Sequence, residues 1–286
     1  MKFEKYHGLG NDYYIYDCQK YDYLLSKKQI QTLCDRHYGM GSDGILVGPV
    51  FRDHKIGLRI LNPDGSEAEK SGNGVRIFAK YLRDAGYVTE DSCTLDTLGG
   101  PVQIKYLNEE GTMIEASMGH LSFESKDVGM TGPNLSMINK PLVFGKEDYR
   151  CTCVSIGNPH CVIPVEKVSK DLVCQIGKNA ETAKYWPNRI NTQIIEIIDR
   201  YHIKIEIFER GAGYTLASGS SACAAAAAAY RLGLTESFVT VHMPGGILEI
   251  HIDPDWNCTM TGKVMRVGSF TLSEEFMRDY KLDLTF

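Results

Sequence analysis

Two stretches of this chain, "EKSGNGVRIF" at residues 69–78 and "LASGSSACAAAAAAY" at 216–230, spell the same local device twice. Laid over one another at an offset of 147 residues, Ser71 falls on Ser218, Gly72 on Gly219, Ala79 on Ala226 and Gly86 on Gly233. Each is followed by a glycine pair running into a strand pattern, "LGGPVQI" and "PGGILEI", at an offset of 146. A period of about half the chain is far longer than that of a solenoid. It points to two structurally similar domains with a cleft between them, each contributing one helix N-terminus. Such a terminus presents unpaired N–H groups and attracts anions. The boundaries expected are 1–119 plus 272–286 for the N-terminal domain and 120–271 for the C-terminal one.

A length of 286 residues suits two medium domains. The net charge of −5, with acidic and basic residues intermixed, leaves no basic stripe of the kind nucleic acid requires. The longest apolar run, near Ala222 to Tyr230, is about half of the ~20 residues that a bilayer span needs. The N-terminus "MKFEKYHGLG" lacks a signal-peptide core. The expectation is a soluble cytoplasmic protein with neither membrane nor nucleic acid as partner. Nine cysteines, at 18, 34, 93, 151, 153, 161, 174, 223 and 258, form no CxxC pair and no zinc spacing. They read as reduced, small core residues, and no metal is expected.

Alternating patterns such as "YYIYDC", "IGLRIL", "VQIKYL", "MIEASM", "CVSIG", "CVIPVE", "QIIEII", "IKIEIFE" and "LEIHID" predict many short strands between Gly, Asn, Asp and Pro turns. Helices are predicted over 26–37, 74–85, 168–176, 221–232 and 273–280. The fold class is α+β. Helix 221–232 is apolar on every face and should be wrapped by sheet, whereas Arg76, Lys80 and Arg83 predict that helix 74–85 is only partly wrapped. "GMGSDG" at 39–44 spells the dinucleotide fingerprint, but it precedes an apolar run instead of following a strand and opening a helix. No cofactor is expected there.

In chain order, "HGLGNDYYIYD" at 7–17, "CDRHYGMGSDGI" at 34–45, "RILNPDGSEAEKSGNG" at 59–74, "SIGNPHCVI" at 155–163, "PNRINT" at 187–192 and "ERGAGYTLASGSSACA" at 209–224 resemble the signature segments of the diaminopimelate epimerases. The resemblance covers essentially the whole chain. It implies two pseudo-symmetric domains, each a mainly antiparallel sheet wrapped around a central helix. It also implies amino-acid epimerisation without pyridoxal phosphate or any other cofactor, on a small diaminopimelate-like substrate, usually by a homodimer. Epimerisation removes an α-hydrogen on one face and returns a proton on the other, so two acid/base groups are needed. The repeat supplies two equivalent positions.

Carried over by resemblance, Asn11, Asn62, Asn158, Asn191 and Arg210 match the groups that grip the substrate's distal end, with Glu209 preceding the arginine. A guanidinium suits a carboxylate because its planar fork donates two parallel hydrogen bonds. Gly72, Asn73, Gly74, Gly219 and Ser220 match the turns whose N–H groups hold the reacting carboxylate. Ser71 and Ser218 stand at the two acid/base positions, where the family has cysteine. A thiol ionises near neutrality at a helix N-terminus, whereas a serine hydroxyl without an activating base abstracts protons poorly.

The neighbours depart from the pattern too: Lys70 precedes Ser71, Tyr214 replaces a glutamate and Ser221 replaces a glycine. That clustering favours a divergent branch over a protein in which only two cysteines were exchanged. His7, His37 and His160 lack partners at ligand spacing and read as structural, with His160 the nearest to the expected site. Cys223 lies too far into its helix to stand in for the thiol, Lys70 reads as exposed, and Tyr214 either fills the space left by a smaller substrate or packs. The function expected is diaminopimelate epimerase-type LL to meso interconversion, weak or absent with serines. The alternatives are a racemase of another amino acid and a catalytically silent amino-acid-binding relative.

Overall fold

The computed structural model describes residues 1–21, 24–52 and 55–282. The chain divides into two compact units, Met1–Ala116 together with the segment from Gly262 onward, and Ser117–Thr261. The return to the first unit thus falls at Gly262, ahead of the expected residue 272, because strand Met265–Thr271 pairs antiparallel with Lys2–Gly8. Five helices are present among the described residues: α1 (Lys27–Cys34), α2 (Gly72–Asp84), α3 (Lys170–Glu181), α4 (Gly219–Arg231) and α5 (Glu274–Asp279).

Among the described residues most strand pairs are antiparallel, but each unit holds two parallel pairs, and a parallel pair needs a crossover long enough to carry a helix. In the first unit, α1 lies between Asn11–Asp17 and Ile45–Arg52, and α2 between Lys55–Leu61 and Ser92–Thr97. In the second, α3 lies between Pro159–Pro164 and Asn191–Ile197, and α4 between His202–Glu209 and Phe238–Met243.

The repeat extends to the hydrogen-bonding register. Tyr14 pairs with Ile45 and Cys161 with Thr192; Ile45 pairs with Leu61 and Thr192 with Phe208; Ile60 pairs with Ala68 and Ile207 with Thr215. All five of these residues in the first unit map onto those in the second at the offset of 147. Because a slip of one residue would turn every side chain to the other face, this shared register places equivalent residues on equivalent faces.

Both central helices are buried. In α4 every residue from Ser221 to Ala229 is buried, as its apolar composition requires. In α2 the expectation of partial wrapping is corrected: Arg76 is fully buried and Lys80 is only 7% exposed. Both charges find partners within the unit. Arg76 donates to the Gly72 carbonyl and to Asn73 Oδ1, and Lys80 donates to Asp84 and to the Glu110 carbonyl. Around α2 pack Tyr6, Ile15, Leu46, Ile60, Val102 and Ile114, among others.

Several helix bounds differ from the sequence expectation for local reasons. Helices α2 and α4 begin two residues early, so that the glycines form the first turn and not the preceding loop; at α2 the Ser71 side chain caps that turn, whereas Ser218 occupies the N-cap position of α4 without a side-chain cap bond. Helix α1 stops at Cys34 because the Asp35 carboxylate accepts the N–H groups of His37 and Tyr38 and closes a turn. Helix α3 starts after Ser169, whose Oγ accepts the Leu172 N–H, and runs on to Glu181. None of the cysteines is disulfide-bonded, and Cys34, Cys151, Cys153, Cys161, Cys223 and Cys258 are buried. Among the described residues no helix is long and apolar enough to cross a membrane.

Candidate active site

Of the candidate residues, Asn11, Ser71 and Asn73 meet at the head of α2 and Asn158 and Ser220 at the head of α4, whereas Asn62 stays in its own turn and Asn191 bonds the Arg210 turn. Ahead of each N-cap serine, a glycine hairpin docks onto the chain two residues upstream. The Gly99 N–H donates to the Glu69 carbonyl at 2.7 Å, and the Gly245 N–H donates to that of Leu216 at 2.8 Å. A Cβ on Gly99 would stand 2.9 Å from the Glu69 oxygen, so only glycine lets the hairpin come this close. The repeated glycine pairs therefore anchor the loops that deliver the serines.

In the first unit Ser71 is a working N-cap. Its Oγ accepts the Gly74 N–H at 3.1 Å, and the Tyr13 hydroxyl lies 3.3 Å away. The Asn73 amide donates to Asn11 Oδ1 at 3.3 Å, and the Asn11 amide donates to Asp43 at 2.8 Å. Asp43 is held in turn by Arg36 at 2.7 Å, and Asp12 by Lys5 at 2.7 Å and Arg36 at 2.9 Å. Burial is the largest single influence on the Asp12 carboxyl, but the two cations together outweigh it and hold the group below its ordinary pKa. Asn62 serves its own turn, where its amide donates to Ser66 Oγ and its backbone closes the loop. The buried Arg76 guanidinium places a full positive charge under the first turn of α2, which adds to the pull of the helix N-terminus on an anion.

In the second unit Ser218 is 6% exposed and makes no side-chain cap bond. The Asn158 amide donates to Ser220 Oγ at 3.4 Å, which repeats the Asn11 and Asn73 contact one offset along the chain. Asn158 is oriented by His160, whose Nε2 lies 3.1 Å from the Asn158 Oδ1. His160 is fully buried, and that burial, with the Arg210 charge, outweighs hydrogen bonding to Gln193 and drives its pKa down to about 3. It is therefore neutral at physiological pH and donates through Nε2. The Gln193 amide donates to Ser221 Oγ at 3.0 Å, giving the serine that replaces the family's glycine a buried partner.

Asn191 spends both ends of its amide on backbone, donating to the Pro159 carbonyl at 2.9 Å and accepting the Arg210 N–H at 3.0 Å. The turn that carries Arg210 is fixed from a second side by Glu181, which accepts the Gly211 N–H at 2.6 Å and is paired with Arg189 at 3.2 Å. The Arg210 guanidinium itself is exposed, with Glu209 half-buried beside it. Tyr214 packs against α3, donates to Glu206 at 2.9 Å and lies under the Lys170 ammonium at 4.8 Å. The packing alternative therefore describes Tyr214, whose hydroxyl pKa is pushed up to about 12 by burial and by the Glu206 charge. Lys70 is half-buried where exposure was expected, His37 is exposed, and Cys223 is buried a full turn inside α4.

Tyr13, Asp43, Glu181 and Gln193 were not singled out in the sequence, and Arg76 was noted there only as a charge on its helix. The signal for Tyr13 was available, because the offset that aligns the serines also aligns Asn11 with Asn158 and Tyr13 with His160. Asp43, Glu181 and Gln193 act through tertiary contacts that no local pattern displays, whereas Arg76 reaches the Gly72 carbonyl and Asn73 within its own helix. Among the described residues, no group of three or more His, Cys, Asp or Glu is placed to hold a metal.

Two sheet-wrapped helices, each headed by an N-cap serine at equivalent register, define an epimerase-type fold. A hydroxyproline epimerase from Agrobacterium vitis superposes with a TM-score of 0.69 at 11% identity, over 94% of this chain and 91% of that one. A phenazine biosynthesis protein from Bacillus anthracis superposes at 0.63 and 17% identity, over 96% and 99%. These likenesses are of fold. Sequence narrows the class: the diaminopimelate epimerase family model matches residues 3–124 and 152–267. Diaminopimelate epimerase 2 of a Nostoc species is 44% identical over 276 residues, 96% of each chain. Diaminopimelate epimerase of Pelotomaculum thermopropionicum is 38% identical over 94% of this chain and 98% of its own. The chain belongs to the diaminopimelate epimerase family, and its class is that of the isomerases.

Proposed function

We propose that this chain interconverts the LL and meso forms of diaminopimelate by proton transfer at the α-carbon, slowly, with Ser71 and Ser218 at the two acid/base positions. The observation that carries the reading is the matched pair of N-cap serines, set at equivalent register on two buried helices, in a chain akin to diaminopimelate epimerases over nearly its full length. Removal of the α-proton leaves negative charge that spreads onto the substrate α-carboxylate. Each first turn, Gly72–Gly74 in one unit and Gly219–Ser220 in the other, offers N–H groups and helix-dipole charge suited to such a carboxylate. In this reading Asn11, Asn158, Glu209 and Arg210 serve the substrate's distal end, where a guanidinium suits a second carboxylate, and Asn191 contributes by holding the Arg210 turn through its backbone bonds. Asn62 contributes by shaping its turn, since its amide is committed to Ser66. A homodimer working in the cytoplasm completes the reading.

Proton NMR of LL-diaminopimelate in deuterated water tests it. Slow loss of the α-proton signal is expected, with acceleration by about 100-fold or more in the Ser71→Cys/Ser218→Cys protein, the range that a matched acid/base pair contributes. No exchange in either protein, with binding retained, would sink the assignment in favour of an amino-acid-binding relative.

A further inference from the structure

We propose that Tyr13 is a positioning residue for proton transfer at position 71: its phenolic hydroxyl donates to Ser71 Oγ and relays the proton that a lone serine handles poorly. For its substrate the proposal rests on the reading above. Its geometry does not.

The Tyr13 ring is held in one place. It is 6% exposed and belongs to the core around α2, on a strand whose register is set by the Tyr14 and Ile45 pair. Gly44 leaves room for it: a Cβ there would stand 2.7 Å from Tyr13 Cε1 and 2.4 Å from the Leu61 carbonyl oxygen. The ring consequently ends with its hydroxyl 3.3 Å from Ser71 Oγ, which already receives the Gly74 N–H. Two donors into Oγ fill its lone pairs and turn the serine's own O–H outward. The second unit lacks this arrangement. The position one offset along is His160, whose ring is turned to Asn158, and Ser218 carries no cap bond.

The chemistry follows from relative acidity. A phenol is a far stronger acid than an aliphatic alcohol, though weaker than a thiol. In the donating direction the Ser71 O–H proton passes to the α-carbanion, whose electron pair forms the new C–H bond. The Tyr13 proton moves to Ser71 Oγ, and a phenolate remains. In the abstracting direction each transfer reverses, starting from the phenolate. Donation is therefore available at neutral pH, and abstraction on this side grows as the pH rises.

The test exchanges the serine for a thiol that can be probed without turnover. Ser71→Cys and Tyr13→Phe/Ser71→Cys proteins are alkylated with iodoacetamide across a pH series, and labelling at position 71 is followed by peptide mass spectrometry. Phenylalanine keeps the ring that the core requires. Loss of the phenolic donor to the thiolate is expected to slow alkylation near neutral pH about tenfold and to move its pH profile up by about one unit. Coincident profiles overturn the proposal. In the serine protein, α-proton exchange of LL-diaminopimelate should rise with pH and lose that rise in Tyr13→Phe; an unchanged profile overturns the relay. A failure of the diaminopimelate reading shows separately, as absence of exchange with the alkylation difference intact.

Discussion

The heads of α2 and α4 are built on the same backbone register and furnished differently. Ser71 caps its helix, has a phenol 3.3 Å from its Oγ and shares its helix with a buried guanidinium; Ser218 caps nothing, and the position equivalent to Arg76 is Cys223. Where the first unit has Tyr13, the second has a neutral histidine that serves Asn158. Duplication thus preserved the scaffold that aims two hydroxyls and let the polar surroundings diverge. Proton transfer in the two directions need not have equal support, since an epimerase runs each group as acid in one direction and base in the other.

The largest effect expected from separating the halves concerns His160. Its pKa of about 3 in the folded protein lies below the ordinary 6.5, so the unfolded chain takes up the proton first. The stabilisation is complete above about pH 6.5 and is lost as the pH falls toward 3. The slope is about 1.4 kcal/mol per pH unit and the full loss on the order of 5 kcal/mol. In His160→Gln the side-chain amide can still donate to Asn158, and urea unfolding between neutral and mildly acid pH should show a shallower acid limb than the parent. Equal slopes would remove His160 from the account of how the halves differ.

A smaller effect separates Arg76 from Cys223, its counterpart. Arg76→Met should cost about 2–3 kcal/mol, because the Gly72 carbonyl and the Asn73 amide lose a charged donor in a site closed to water. Cys223→Ala should cost about 1 kcal/mol, the loss of one small buried group. Equal costs by chemical unfolding would mean that the buried charge does not distinguish the helices. The smallest contrast lies in the caps: Ser71→Ala should lose about 1 kcal/mol, and Ser218→Ala no more than about 0.5 kcal/mol. Matching losses would place a working cap at both helix heads.

The alternating runs and the two glycine-led helices were enough to place most strands, both central helices and the serines at their heads. Local pattern carries such information because strand and helix periods are written in consecutive residues. It misled over α2, where three basic residues suggested an open face; Arg76 and Lys80 are buried because their partners lie one turn away or on Glu110, and charge alone does not reveal a partner. The starts of the central helices came out two residues late because glycine has poor helical propensity, which the Ser71 cap offsets in the first turn of α2. Asn62 and Asn191 matched binding positions by motif, yet the motif could not show their amides committed to Ser66, Pro159 and Arg210.

By itself the sequence determined that this protein is a duplicated α+β chain of the diaminopimelate epimerase family, with serine at two equivalent helix heads. Those are properties of residue identity and spacing, and they survive without coordinates. Only the tertiary structure decided how each serine is equipped. A hydroxyl acquires a phenol, a cap bond or nothing according to which distant strand brings a side chain within about 3 Å. That proximity depends on packing across the sheet, where Tyr13 reaches Ser71 from 58 residues away.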